Sequence, residues 1–465
     1  MSERTSLNPS SHAAAPEPQF GLRKHVLGPF ESLAQSISTM APTASAAMTV
    51  PLVFSSAGNG TWLAYLLATA ATLVVALCIA RFAGESASPG SLYSYAVSSL
   101  PFSLGAVAAW SLLLAYTATG ISVVGGFIHY ANVVLSEFFG VKWPTVVVTI
   151  VGVVLSVWVA YRDVKVSARL MLYVELTSVF LITVVFVLLL WQRGFHLDSK
   201  QFSLEGVNFS GVRLGMVLAM FSFVGFESAT TLGEEARDPL KTIPQAVIRS
   251  AWLSGLFFIL ASYTEVMAFP RSAGPLDQSD APMSVLAGVA GISPVGKVID
   301  VCAMVGMLAC VLSCITAAAR VLLLMAHRGL VPMQLTSVHQ RNQTPHSAIF
   351  ATGIATLLVS LALVLKNVSG ETIYDWMGSL ATYGFLTVYA LVAIALPLYL
   401  KRQKRLNGAT TALSGLAVVA MLVVLEGTLY PVPEAPKNWL PYVFVLYLVV
   451  AVGWNILRPK AGARA

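Results

Sequence analysis

The sequence predicts an all-α protein that crosses a membrane many times. Of its 465 residues, 57% are hydrophobic and only 11% are charged, whereas soluble domains average about 25% charged residues. The mean hydropathy is +0.77. Apolar runs of about 18 residues or more, each long enough to cross a hydrocarbon core of ~30 Å, recur along the whole chain. No polar stretch is long enough for a separate soluble domain, so one polytopic helical unit is expected.

Twelve transmembrane helices are predicted, and their even number places both termini on one side. The larger share of the 28 basic residues falls in loops and tails on that side, including the cluster 401–405. Because Lys and Arg are retained in cytoplasmic loops, we expect the protein to lie in the cell membrane with both termini on the cytoplasmic side. The same excess of basic residues in cytoplasmic loops accounts for the net charge of +7, so the charge does not indicate a nucleic-acid partner. The predicted spans are 30–56, 61–82, 102–135, 143–161, 168–191, 211–236, 245–269, 297–327, 346–366, 375–400, 410–429 and 439–457.

Composition divides the chain into three regions. Residues 1–28 are rich in Ser, Ala and Pro and lack the apolar region of a signal peptide, so they predict a disordered cytoplasmic tail. Residues 29–400 form the predicted transport core, and 401–465 add two helices and a short cytoplasmic tail. Cys310 and Cys314 are one helical turn apart, but no His accompanies them. We therefore expect no metal site and no cofactor.

The sixth predicted span is interrupted near its middle. Gly225 weakens a helix by about 1 kcal/mol relative to alanine, and Glu227 would cost at least about 2.5 kcal/mol in hydrocarbon. An acidic exit containing Pro239 follows. This combination favours a broken helix that lines a site, although a glycine packing contact with Glu227 near an interface is the alternative.

The first predicted span is interrupted as well. Small and hydroxyl residues surround Pro42 over 36–48. Because the two interruptions lie five spans apart, they predict a five-plus-five repeat of inverted topology, followed by the two added helices. Interrupted spans at matching positions of two halves indicate a transport site near the middle of the membrane.

Three motifs, in order along the chain, resemble those of the amino acid–polyamine–organocation (APC) transporters, in particular the amino acid permease branch. FSFVGFESATTLGEEARDPLKTIP at 221–244 is similar to the family's F-x-G-F/V-E-S and E-x-x-x-P…I-P. Residues 317–332 and 344–345 resemble A-A-S-R…A-R-D-G-x-x-P…T-P, and SPGSLYSY at 88–95 resembles P-G-G-x-Y-x-Y. The resemblance implies a LeuT-type (APC) fold with broken helices 1 and 6. The first span departs from the family's G-S-G, because alanines flank Ser45.

The two interruptions have the chemistry to hold a zwitterion. Free N–H groups and the positive dipole end of a half-helix suit a carboxylate, whereas unwound carbonyl oxygens suit an ammonium group. In the first span the predicted donors are the backbone at Thr43, Ala44, Ser45 and Ala46, with the Ser45 hydroxyl. In the sixth the predicted acceptors are the carbonyls of Phe221, Ser222 and Val224. The resemblance implies the same assignment, and the alternative is that Thr43 and Ser45 only bond neighbouring helices.

Aromatic side chains are expected around this clamp. Phe221 and Phe223 flank it, and by position Phe221 resembles the family's aromatic gate over the substrate, although ordinary packing is the alternative. Tyr116 in the third span is a further candidate for a polar contact. No Asp or Glu occurs in 110–128, which favours a neutral or small substrate.

The coupling ion is predicted from the few carboxylates within the spans. Burial favours the protonated form that a proton carrier needs, and Glu227 and then Glu175 are the best placed. A structural brace is the alternative for Glu227. Glu265 and Asp300 lie nearer the outer ends and are expected to be solvated or interfacial. Candidate sodium ligands are Ser313 and Thr316, but they stand three apart rather than adjacent, which disfavours sodium.

The sequence thus predicts a secondary transporter that takes up amino acids or related amines, together with protons, by alternating access. Exchange without net ion coupling and sodium symport are the alternatives. A membrane-embedded enzyme is disfavoured, because no nucleophile–base pair or metal-spaced cluster is present. Membrane lipids are expected partners of the basic cluster 401–405, and the oligomeric state is not indicated.

Overall fold

The computed structural model of the chain describes residues 22, 24–86, 91–162, 164–430, 432 and 434–457, with the side chains of 164–172 outside the description. Most of the predicted N-terminal tail, the C-terminal tail beyond Leu457, and Ser88, Pro89 and Gly90 of the third motif therefore lie outside the described residues.

The described chain is helical throughout. Its longest helices exceed 30 residues because apolar sequence continues through them without an internal break. The α-helices are α1 (Pro29–Met40), α2 (Pro42–Ala44), α3 (Val50–Ala57), α4 (Thr61–Ala83), α5 (Ser91–Ser99), α6 (Phe102–Phe139), α7 (Thr145–Arg162), α8 (Val164–Gln192), α9 (Ser199–Phe202), α10 (Phe209–Phe221), α11 (Pro239–Ala268), α12 (Pro282–Val289), α13 (Ser293–His327), α14 (His346–Leu365), α15 (Gly370–Arg402), α16 (Gly408–Leu429) and α17 (Leu440–Leu457).

Within the described residues, ten helical stretches are long and apolar enough to cross a membrane. The predicted spans 30–56 and 61–82 fall in the single stretch Pro29–Ala83, and the predicted span 211–236 contains only the shorter apolar helix Phe209–Phe221. The all-helical, multi-span class is confirmed, and the count of twelve stays a prediction.

The interior is built around α6, which packs against α13 and α15. Glycines allow the closest approach: a Cβ at Gly125 in α6 would lie 2.5 Å from the carbonyl oxygen of Gly370 at the start of α15. Small residues at such contacts let helix backbones pack tightly in membranes. The start of α15 is therefore fixed against the second half of α6.

The outer helices present apolar side chains outward. On α17, Val443, Leu446 and Val450 are all exposed. Contiguous exposed apolar surface of this kind suits lipid rather than water. The helices α16 and α17 pack on the periphery of α4, α6 and α15, away from the first interrupted segment.

Candidate functional site

Two interruptions of helical structure face each other in the interior. The helix α1 ends at Ala41, whose backbone is left-handed (φ 46°, ψ 68°). The chain restarts at Pro42, which has no N–H to continue the ladder of α1. A π-helix, Ser45–Thr49, then leads into α3. The predicted disturbance around Pro42 thus coincides with a change of helix type.

The second interruption follows α10. Residues 222–227 form turns, and the 3₁₀-helix Ser228–Leu232 follows. Gly225 has a φ of +93°, and a Cβ built there would lie 2.3 Å from Cγ2 of Thr39 in α1. Only glycine fits both this backbone conformation and this contact. Gly225 therefore holds the second interruption directly against the first.

A small cavity lies between the interruptions. Its volume is about 10 Å³, which is roughly the space for one water molecule. An amino acid does not fit, so binding one requires the walls to move. The lining residues are Thr39, Met40, Ala41, Ala44, Ser45, Thr119, Val123, Phe221, Val224, Cys310 and Tyr374.

A much larger cavity, the vestibule, of about 470 Å³ lies next to it and shares two of its walls, Phe221 and Tyr374. The two rings meet edge to face with centroids 5.4 Å apart. The Tyr374 hydroxyl lies 2.8 Å from Oγ1 of Thr49. These two aromatic side chains separate the small cavity from the vestibule. Sequence reasoning named Phe221 but missed Tyr374, which has no motif to mark it.

Removing the Phe221 ring is expected to open the small cavity to the vestibule. In a Phe221→Ala variant, a small thiol reagent should label Cys310, which lines the small cavity, severalfold faster than in the parent protein, since access controls the reaction of a buried thiol. The matched baseline is the same variant carrying Cys310→Ser. An unchanged labelling rate of Cys310 would contradict the gating role of Phe221.

The predicted substrate residues divide into two groups. Ala44, Ser45, Phe221 and Val224 line the small cavity. The others point elsewhere: Ala46 is buried outside the lining, the Ser222 hydroxyl lies 3.0 Å from the Tyr65 hydroxyl, the Phe223 ring packs edge to face on Phe258, and Thr43 and Tyr116 bind carboxylates.

Glu175 of α8 binds the start of α2. Its Oε1 accepts from the Thr43 N–H at 2.8 Å and from the Thr43 hydroxyl at 2.9 Å. A carboxylate at a helix start meets a free donor and a favourable dipole. In this conformation Glu175 thus takes the Thr43 donor that sequence analysis assigned to the substrate.

Glu227 lies behind the second interruption between two phenols. The Tyr116 hydroxyl donates to Oε1 at 2.8 Å, and the Tyr389 hydroxyl donates to Oε2 at 2.6 Å. All three residues are buried, so the two donors offset part of the cost of burying the carboxyl. Tyr389 was missed because it stands in an apolar stretch of α15 without a motif.

Ser313, a candidate sodium ligand, faces a donor instead. Nε2 of Gln35 donates to the Ser313 hydroxyl at 2.8 Å and to its carbonyl at 3.3 Å. The Ser313 hydroxyl also contacts Oγ1 of Thr39. Thr316 supplies its carbonyl oxygen to Nη1 of Arg320 at 3.0 Å. Ser313 therefore belongs to a hydrogen-bond network that joins α1 to α13, whereas the bond of the Thr316 carbonyl lies within α13.

The end of the second interruption is fixed by a buried ion pair. Arg320 of α13 donates to both carboxylate oxygens of Glu235, at 2.7 and 2.9 Å. Next to it, Leu27 and Ala236 pair through their backbones. These contacts close the protein on the side of the small cavity that faces away from the vestibule.

Two further carboxyl groups differ from the sequence prediction. Glu265 and Asp300 were expected to be solvated or interfacial near the outer ends, but both are almost completely buried inside the protein. They lie inward because surrounding helices cover the last turn of α11 and the first turns of α13. Their position in the sequence gave no sign of this cover.

Comparison with known proteins agrees with these observations. The family model "Amino acid permease" matches residues 31–460. The branched-chain amino acid permease BcaP of Bacillus subtilis is 25% identical over 414 residues, covering 86% of this chain and 82% of that protein. The methylthioribose transporter of Bacillus subtilis is 22% identical over 395 residues, covering 82% of each. The low-affinity putrescine importer PlaP of Escherichia coli is 26% identical over 317 residues, covering 65% of this chain and 68% of that protein.

The match spans both interruptions, the vestibule and the helices that enclose them. The family implies an APC-type, LeuT-type fold, in agreement with the predicted family and with the multi-span helical structure. Members of this family are membrane transporters and not enzymes, and the three relatives above are named for branched-chain amino acids, methylthioribose and putrescine. This chain is an integral membrane protein that belongs to the amino acid permease family.

Proposed function

We propose that this permease is a secondary active transporter for an amino acid or a related amine, and that the small cavity is its substrate site. The observation that carries the proposal is the position of that cavity: it lies where two helical segments are interrupted and behind the aromatic pair Phe221 and Tyr374. The substrate carboxylate would bind the backbone N–H of Ala44 and the hydroxyl of Ser45, because the Ser45 N–H already donates to the carbonyl oxygen of Ala41 at 3.0 Å. Its ammonium group would bind the carbonyl oxygens of the second interruption, at Ser222 and Val224.

The architecture proposed for this mechanism has twelve spans with both termini in the cytoplasm. Residues 29–400 would form a five-plus-five inverted repeat with helices 1 and 6 broken, and 401–465 would add two peripheral helices. The outer position of α16 and α17 supports this division. Alternating access then requires Phe221 and Tyr374 to part on one side and the Arg320–Glu235 pair to part on the other.

The cavity walls favour a substrate with a neutral side chain. All eleven lining residues are apolar, hydroxyl or thiol side chains, without an ionised group to pair with a cation. Burying a charge without a partner is costly. A neutral amino acid is therefore preferred over lysine or a polyamine.

The substrate preference can be tested by thermal stabilisation of the purified protein. We expect apolar amino acids to raise the melting temperature at concentrations where lysine and putrescine do not, because only a ligand that binds the folded state stabilises it. The screen is repeated with and without sodium. Stabilisation by lysine or putrescine alone would contradict the neutral-substrate proposal.

Proton coupling is proposed to use Glu227, with Glu175 as the second candidate. Both are buried within helical contacts, and both touch the interrupted segments. The donation of Gln35 to Ser313 supports protons over sodium, because an amide N–H group stands in front of the hydroxyl that a sodium ion would need. The alternative is that Glu227 only braces the structure and that the protein exchanges substrates without net ion coupling.

Glu227→Gln separates these possibilities. The amide keeps the shape and accepts from one phenol but does not release a proton. We expect proton-driven uptake into proteoliposomes to fall strongly while counterflow exchange persists. Tyr116→Phe, which removes one hydrogen bond but leaves the carboxyl, is the control and should retain proton-driven uptake. Equal loss of uptake and exchange in Glu227→Gln would reduce Glu227 to a structural brace.

A further inference from the structure

A second cluster of polar side chains lies outside the proposed substrate site, near the rim of the vestibule. His129 comes from the last turns of α6, Glu371 from the first turn of α15, and Asp280 from the loop before α12. One donor atom from each of the three lies within 4.8 Å of the other two. Residues distant in sequence are therefore brought together by the packing of three separate elements.

The hydrogen bonds of His129 leave one ring nitrogen facing negative charge. Its Nε2 lies 2.7 Å from the carbonyl oxygen of Asp280. A carbonyl only accepts, so Nε2 carries the hydrogen and the neutral ring has its lone pair on Nδ1. That Nδ1 lies 3.3 Å from Oε1 of Glu371. The Nδ1 lone pair and the Glu371 carboxylate oxygen are both acceptors and therefore repel each other at 3.3 Å. A cation bound to them removes this repulsion.

The donor set selects the type of cation. One imidazole and two carboxylates, with room for water, suit zinc, which is bound by His nitrogen and carboxylate oxygen at about 2.0–2.2 Å. Magnesium and calcium prefer all-oxygen sites. The bond from Nε2 to a backbone carbonyl also provides the outer partner that typically fixes a zinc-binding histidine. The side chain of His129 is 14% exposed and that of Glu371 55% exposed, so an ion can enter from solvent.

We propose that His129, Asp280 and Glu371 form a binding site for Zn²⁺ or a similar divalent transition metal at the rim of the vestibule. The ion would tie the loop before α12 to the adjoining ends of α6 and α15. Those two helices already meet through Gly125 and Gly370.

The site lies one helical turn from the aromatic pair. Glu371 precedes Tyr374 by three residues on α15, and the Tyr374 carbonyl accepts from the Ser122 hydroxyl of α6 at 2.5 Å. The loop before α12 also packs on α3, which follows Thr49 and forms part of the vestibule wall. Bound zinc would therefore hold α15, which carries Tyr374, and the loop that packs on α3 in fixed positions next to the Phe221–Tyr374 pair. This consequence rests on the proposed gating, whereas metal binding itself does not.

Zinc binding is tested by the melting temperature of the full-length protein, purified without a histidine tag, during titration with ZnCl₂. We expect a saturable rise in the parent protein. The rise should be lost, or its midpoint shifted at least about tenfold, in His129→Gln and Glu371→Gln, since loss even of an outer partner costs about 10–100-fold in metal affinity. MgCl₂ and CaCl₂ should not reproduce it.

The control variant is His346→Gln. His346 and His339 have ring centroids 5.9 Å apart, so they are a second pair of neighbouring histidines that zinc could reach. His346→Gln should keep the full response. A response lost in His346→Gln and kept in His129→Gln overturns the proposal, and so does the absence of any zinc-dependent rise.

The connection to the gate has its own measurement. Zinc should slow labelling of Cys310 by a small thiol reagent in the parent protein and not in His129→Gln. A zinc-dependent rise in melting temperature with unchanged Cys310 labelling would refute the connection to the gate. Because no amino acid is added in either measurement, a failure of the zinc site is distinguishable from a failure of the proposed transport function.

Discussion

Replacing Arg320 by Met is expected to lower the free energy of unfolding by about 3–5 kcal/mol, because it leaves the Glu235 carboxylate buried without its partner. The pair is almost inaccessible, with side chains 2% and 1% exposed, and both oxygens of Glu235 accept from the guanidinium. The measurement is the melting temperature of the purified variant in detergent. A variant that melts with the parent protein would contradict the structural role of the pair.

Two controls isolate the effect of burial. Arg405→Met breaks the ion pair between Arg405 and Glu85, which has the same 2.7 Å separation but side chains that are 59% and 25% exposed. The expected loss in the free energy of unfolding is therefore only about 0–1 kcal/mol. The double variant Arg320→Met with Glu235→Met removes both charges and should recover much of the lost stability, since a buried pair often gains little over apolar residues of similar volume. A double variant as unstable as Arg320→Met alone would show that lost packing, not unpaired charge, causes the effect.

Gly225→Ala is expected to have the second largest effect and to act on the site itself. The left-handed backbone costs a non-glycine residue roughly 1–2 kcal/mol, and the new methyl group would overlap Cγ2 of Thr39, 2.3 Å away. The two interruptions would have to separate. We expect a lower melting temperature together with loss of substrate-dependent stabilisation.

The matched control is Gly329→Ala, which has φ +72° but no atom within 4 Å of the built Cβ. It carries the backbone strain without the overlap and should keep the response to substrate. In the Gly225→Ala background, Thr39→Ser removes the closest methyl group and should restore part of the stability. If both glycine variants behave alike, backbone strain alone explains the result and the contact with Thr39 has no role.

The sequence predicted the features that depend on local chemistry. Apolar runs are required by lipid, so the multi-span helical class followed from composition. Pro42 and Gly225 change the backbone wherever they stand, so the two irregular segments could be located before any contact was known. Three ordered motifs, one of them around Glu227, together led to the family. The assignment of the site residues stays a proposal.

Features that depend on tertiary packing could not be predicted. Tyr374 and Tyr389 are ordinary aromatic residues of a long helix until α15 is placed against α6 and the second interruption. Thr43 could be recognised as a donor at a helix start, but not as one that Glu175 already occupies. The His129 cluster joins three elements distant in sequence. In each case the missing information is which helix faces which.

The most direct test of the substrate site compares two alanines of the first interrupted segment. Ala44 lines the small cavity and Ala47 does not, although both are 3% exposed, so valine at either position should cost similar overpacking energy. The measurement is the rise in melting temperature caused by the best-binding amino acid. If the small cavity holds the substrate, Ala44→Val loses this rise and Ala47→Val keeps it. A rise that persists in Ala44→Val, or that is lost equally in both variants, contradicts the assignment of the site.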